Sequence, residues 1–232
     1  MQALYIAGKA AVPLIAQELA AAGIQAETAD IQAQCRRPAL SLLEHSLAVA
    51  DVYVAVQKAL TARPDVRLEH WLPERSCCHA YETRHLEGSG PGRWHKEVFR
   101  PDAFFRLSAV RAGERASANY FLELDRGHTN SRQFSGKLRT HARFLESGLF
   151  SDSYGWDRFQ TLVVTTGRDR ARNLRALAEQ EGTDLFWFTT ADAMQEQGIL
   201  APIWQAPGQT GPVPLVSCPG ATPPITKTFP NK

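Results

Sequence analysis

The longest regular pattern in the chain is ALSLLEHSLAVADVYVAVQKAL, residues 39–60. Leu43, Leu47, Ala50 and Val54 recur on one helical face, and His45, Val49, Val52 and Val56 on a neighbouring one. A helix that is apolar around so much of its circumference needs a broad apolar surface, and a sheet provides one. Its β-branched residues permit a strand locally, but its length decides for helix. The strands follow. DVRLEHWLP (65–73), EVFRPDAFFRLS (97–108, broken or kinked at Pro101) and NYFLELD (119–125) read as three strands of an antiparallel meander. The polar, glycine-bearing stretch from Glu74 to Gly92 reads as a loop.

NSRQFSGKLRTHARFLESG (130–148) is a helix capped by Asn130 or Ser131, with Phe134, Leu138, Ala142 and Leu145 as its apolar stripe. RFQTLVVTT is then a buried strand, DRARNLRALAEQ a helix and DLFWFTT a short strand. From residue 39 the order is α-β-β-β-α-β, then α-β, a mixed α/β (α+β) sandwich with helices flanking a mixed sheet. Residues 10–22 form an earlier helix, with Pro13 in its first turn and Gly23 at its stop. The expected organisation is a helical extension over 1–38, an α/β core over 39–201 and a Pro/Gly-rich extended tail over 202–232.

Charge and cysteine say little about partners. Lys and Arg number 26 against 24 Asp and Glu, so net charge selects none. Cys35, Cys77, Cys78 and Cys218 offer no Cys-x-x-Cys spacing, which predicts reduced thiols and a cytoplasmic location. The apolar start is interrupted by Lys9, Gln17 and Glu18, so neither a membrane span nor a signal peptide is expected.

The acids inside the strands need a reason, because Asp and Glu are poor strand formers. Alternation puts Glu123 and Asp125 on one side of their strand, opposite Leu122 and Leu124, and Asp102 on the side of Phe104 and Arg106. If the two strands pair, three carboxylates converge and repel one another. Mg²⁺ or Mn²⁺ would offset that repulsion through hard oxygen ligands. Solvent exposure, or pairing with Arg100, Arg106 and Arg126, is the competing explanation.

Pro101-Asp102 followed by Glu123-x-Asp125, on an α-β-β-β-α-β core, resembles the PD-(D/E)XK nuclease superfamily. More closely, LEHSLAVADVYVAV, RPDAFF, FLELDRGHTNSRQFSGKLRTHARF and APIWQAP resemble the replication-relaxation family of bacterial plasmids and mobile elements. The resemblance implies a metal held by Asp102, Glu123 and Asp125, and a cation to assist phosphodiester hydrolysis. The nuclease pattern wants a lysine two residues after the Glu. Asp125 stands there, so Lys137 or Arg126 would have to replace it. Family members often begin with a winged helix-turn-helix, and LYIAGKAAVPLIAQELAAAG (4–23) resembles its trailing edge, which would make the 1–38 extension a remnant of that domain.

Accessory candidates are Glu44 and His45 on the long helix and His141, one turn after Lys137. Arg126, Arg132, Arg139 and Arg143 lead a basic run that continues through Arg168, Arg170, Arg172 and Arg175 and suits DNA phosphates. Three functions follow as expectations: a Mg-dependent DNA nuclease or nickase of plasmid or mobile-element replication or mobilisation; an inactive DNA-binding factor on the same fold; or a protein-interaction module with a protein partner or a homo-oligomer.

Overall fold

A computed structural model describes residues 11–21, 27–29, 40–85, 93–111, 114–127 and 129–216, with backbone alone for 40–42, 83–85, 93–95, 111 and 114. Two compact units divide the chain at Leu47/Ala48. In the first, helix α1 (Val12–Ala21) buries Val12 against Ile15, Ala16 and Leu19. Helix α2 (Leu40–Thr61) runs from the first unit into the second.

The second unit is built on a five-stranded sheet. Its strands are β1 (Val66–Pro73), β4 (Ala103–Arg111), β5 (Glu114–Asp125), β6 (Gln160–Thr165) and β7 (Phe186–Thr190), in that spatial order. β1, β4 and β5 pair antiparallel. β5, β6 and β7 pair parallel, so the sheet is mixed as expected. The parallel half requires crossovers. Helix α4 (Ser131–Glu146), followed by the short α5 (Leu149–Tyr154), carries the chain from β5 to β6, and α6 (Arg168–Gln180) carries it from β6 to β7. Helix α7 (Ala191–Gln197) follows β7.

Over residues 74–85 the expected loop is instead structured, and its remainder, 86–92, lies outside the described residues. A helical turn α3 (Glu74–Cys77) leads into β2 (His79–His85), which pairs with β3 (Arg93–Phe99) as a separate antiparallel ribbon. The segment 97–108, expected as a strand broken or kinked at Pro101, is broken there into two strands in two sheets. Pro101, which has no N–H to donate to a ladder, stands with Arg100 and Asp102 between the ribbon and the main sheet.

Three apolar clusters surround the sheet. One face carries Phe105, Leu107, Tyr120, Leu122, Leu162 and Trp187 under Val52 and Val56 of α2. The side of α2 expected along Leu47, Ala50 and Val54 is exposed, and the Val52/Val56 side is buried, because only one side of a helix can meet a sheet. The opposite face packs Val163, Phe186 and Phe188 against α4 and α6 through Phe134, Leu138, Ala171 and Leu174. A third, aromatic cluster joins Phe99 of the ribbon to Phe104, Phe121, Phe144, Phe150 and Phe159, with the Phe99 and Phe144 rings stacked at 4.0 Å.

Packing continues past the expected tail boundary at 202. Ile203, Trp204, Ala206 and Leu215 are buried in the first cluster. Trp204 exchanges backbone hydrogen bonds with Val213, and the Tyr120 hydroxyl donates to the Leu215 carbonyl at 2.6 Å. Residues 217–232 lie outside the described residues, as do Cys35 and Cys218. Cys77 and Cys78 are free thiols. No helix among the described residues is long and apolar enough to cross a membrane.

Candidate functional site

Strand register decides which acids meet. Ala103 lies opposite Leu122 and Phe104 opposite Phe121, so Asp102 falls beside Glu123 at the end of the β4–β5 ladder. Alternation places Asp102, Glu123 and Asp125 on the face covered by α4 and α6. Asp102 continues the ladder in an altered form. Its N–H donates to the Leu122 carbonyl at 2.9 Å, and its Oδ2 accepts the Leu124 N–H at 2.7 Å. One carboxylate oxygen thus does what the next backbone carbonyl would do, which fixes the acid to β5.

Helix α4 supplies the cation. The chain leaves β5 through Gly127, at φ 82°, a left-handed turn that glycine adopts without strain. Asn130 then closes a capping box: its side chain accepts the Gln133 N–H at 2.9 Å, and Gln133 accepts the Asn130 N–H at 3.1 Å. Starting the helix there brings Phe134, Leu138, His141 and Phe144 onto the sheet. Lys137 lies at the edge of that face and reaches back to Glu123 Oε2, forming an ion pair. His141, one turn on, approaches Glu123 Oε1 through Nε2 at 3.0 Å and Thr161 Oγ1 through Nδ1 at 2.8 Å. An ionised carboxylate only accepts, so Nε2 carries the proton.

Glu123 is 2% exposed. Burial alone would push its carboxyl up. The Lys137 ammonium and the hydrogen bond from His141 outweigh burial and hold it below the usual carboxylate range. Lys137 shows the reciprocal balance: burial acts to lower it, while Glu123 first, then Asp102 and Asp125, raise it. All three acids therefore act on one lysine.

Asp125 has a different set of contacts. Both its oxygens accept from Arg170, at 2.7 and 2.9 Å, and Oδ2 also accepts from Thr165 at 2.9 Å. Arg170 lies in the first turn of α6 and also donates to the Thr129 carbonyl. Burial raises the Asp125 carboxyl, and the Arg170 and Thr165 hydrogen bonds more than reverse it. Arg170 was expected in a phosphate-binding run and instead ties α6 to the end of β5. The signal for this was its position: parallel strands bring the start of the helix after β6 next to the end of β5. Thr161, the partner of His141, was missed for the same reason.

The other candidates divide. Glu44 and His45 belong to the first unit, where Glu44 is exposed and His45 half-buried. Arg139 pairs with Glu181 at 3.0 Å and Arg143 with Glu97. Arg126 is half-buried at the end of β5. Arg132 is exposed in the first turn of α4, with no partner among the described residues. Among the described residues, no group of three His, Cys, Asp or Glu side chains converges to hold a metal ion.

The family model described as Replication-relaxation matches residues 2–157, about two-thirds of the chain, including Asp102, Glu123, Lys137 and His141. No curated protein and no solved structure matches. The chain belongs to the replication-relaxation family.

Proposed function

We propose that this chain acts on DNA during the replication or mobilisation of plasmids or other mobile elements, through a PD-(D/E)XK-like site formed by Asp102, Glu123 and Lys137. Family membership supports the replication setting. The observation that carries the site is Lys137: a lysine delivered from the following helix to the strand glutamate, where the nuclease pattern would place it two residues along the strand. The strand order, antiparallel β1–β4–β5 with β6 parallel to β5 after a helix, agrees with the α-β-β-β-α-β arrangement once the β2–β3 ribbon is read as an insertion.

Mg²⁺ or Mn²⁺ would be held by two carboxylates, Asp102 and Glu123, a number Mg²⁺ commonly takes from protein with water and phosphate completing its shell. When bound, such an ion supplies an activated water and stabilises the charge that develops in phosphodiester hydrolysis. Asp102 is held in place by its bond to the Leu124 N–H, and Glu123 by His141. Lys137 offers its ammonium to a phosphoryl oxygen as charge builds there. Arg126 and Arg132 flank the start of α4 and suit backbone phosphates of the same DNA.

A second reading, a DNA-binding factor without cleavage, is favoured by one observation: both Glu123 oxygens already have protein partners. The test is to incubate supercoiled plasmid with Mg²⁺ or Mn²⁺ and compare wild type with Glu123→Ala. Metal-dependent nicking lost in the variant is the expected result. Nicking that survives the substitution places the activity elsewhere, and salt-dependent DNA binding without nicking selects the second reading.

A further inference from the structure

The two oxygens of Glu123 are held by very different partners. His141, on Oε1, has a side chain only 3% exposed and is wedged between Glu123 and Thr161, with Phe99 and Phe186 rings at 4.7 and 5.0 Å. It has nowhere to go. Lys137, on Oε2, has a side chain 42% exposed and stands on a flexible four-carbon stem at the rim of the site. One grip is fixed and the other is releasable.

From this asymmetry we infer that Lys137 is a resident cation that must leave Glu123 Oε2 before a divalent cation can use it, and that a DNA phosphate is what draws it away. The inference rests on the nuclease-like reading and adds how the site is loaded. In the resting protein Lys137 neutralises Glu123, while Arg170 neutralises Asp125. A metal arriving alone must displace an ammonium from a buried carboxylate. A metal arriving with a phosphodiester does not meet that cost, because the phosphate gives Lys137 an alternative anion close by. Metal and DNA then favour one another by linkage, and the coupling is reciprocal. Glu123 would offer the ion one oxygen only, since His141 keeps the other.

The test measures Mn²⁺ affinity by water-proton relaxation, with and without a short DNA duplex, for wild type, Lys137→Met and Lys137→Gln. The expected result is weak Mn²⁺ binding by wild type alone, tightened about tenfold or more by the duplex. The variants should bind Mn²⁺ about tenfold more tightly than wild type without DNA, with the duplex adding little. Equal Mn²⁺ affinity in wild type and both variants without DNA overturns the inference and leaves the nuclease-like reading standing. Mn²⁺ binding by no form, with or without DNA, overturns both. If the variants fail to fold, as judged by circular dichroism, the wild-type comparison decides alone: Mn²⁺ affinity indifferent to DNA refutes the coupling.

Discussion

Arg170→Ala is the most informative substitution for the architecture around the site. Arg170 reaches both oxygens of Asp125 and the Thr129 carbonyl, and Asp125 is 5% exposed. Removing one partner of a buried ion pair costs ~3–5 kcal/mol, because the other charge stays buried. The Arg170 side chain is 25% exposed and Thr165 still donates to Asp125. Water and Thr165 thus replace part of what is lost, and the cost falls to about 2–3 kcal/mol. For a chain of this size that lowers Tm by roughly 4–12 °C.

The pH dependence has a definite sign. The folded Asp125 carboxyl lies below its ordinary value. Its pairing therefore stabilises the fold fully above the unfolded carboxyl pKa, about 3.9, and is lost as pH falls through the folded value. The gap between wild type and Arg170→Ala should be the same at pH 7 and pH 6 and should close in acid. Thermal melts across that range, with a double-mutant cycle against Asp125→Asn, measure it. A Tm change within about 1 °C, or a coupling below about 0.5 kcal/mol, would refute the claim that this pair docks α6.

Two further outcomes are expected. Trp204→Ala should destabilise the protein by about 3–5 kcal/mol in urea unfolding, since the indole is fully buried and donates to the Ile199 carbonyl; a neutral result would mean that residues 203–215 do not belong to the core. Arg132→Ala should reduce the salt slope of DNA binding by about 1 without changing Tm, whereas Arg139→Ala should change the slope less, because its charge is already met by Glu181; equal slopes for the two would sink the distinction.

The sheet and its acids were readable because their signals are local. Alternation alone put Glu123 and Asp125 on one face, and the 3.6-residue period put Lys137 and His141 one turn apart. Asn130 as a cap followed from its residue type. What escaped reading was non-local. The β2 strand is polar, with Tyr81 its only buried side chain among those described, so its period is hidden. The helix α2 carries two apolar stripes of similar strength, and only the position of the sheet selects Val52 and Val56 over Val54. Composition marked 203–215 as a tail, yet its few large residues, Ile203, Trp204 and Leu215, find a cluster to enter. Charge runs name the basic residues but not their partners, so Arg170 and Arg139 looked like Arg132.

The join between ribbon and sheet gives the site a mechanical connection. Phe99, the last residue of β3, is locked into the aromatic cluster with Phe121 and Phe144, and Asp102 stands three residues later across buried Pro101. A proline fixes its own φ, so the short link from the ribbon to Asp102 has fewer ways to bend. With Phe99 held by that cluster and Asp102 held by its two hydrogen bonds to β5, the short link is pinned at both ends.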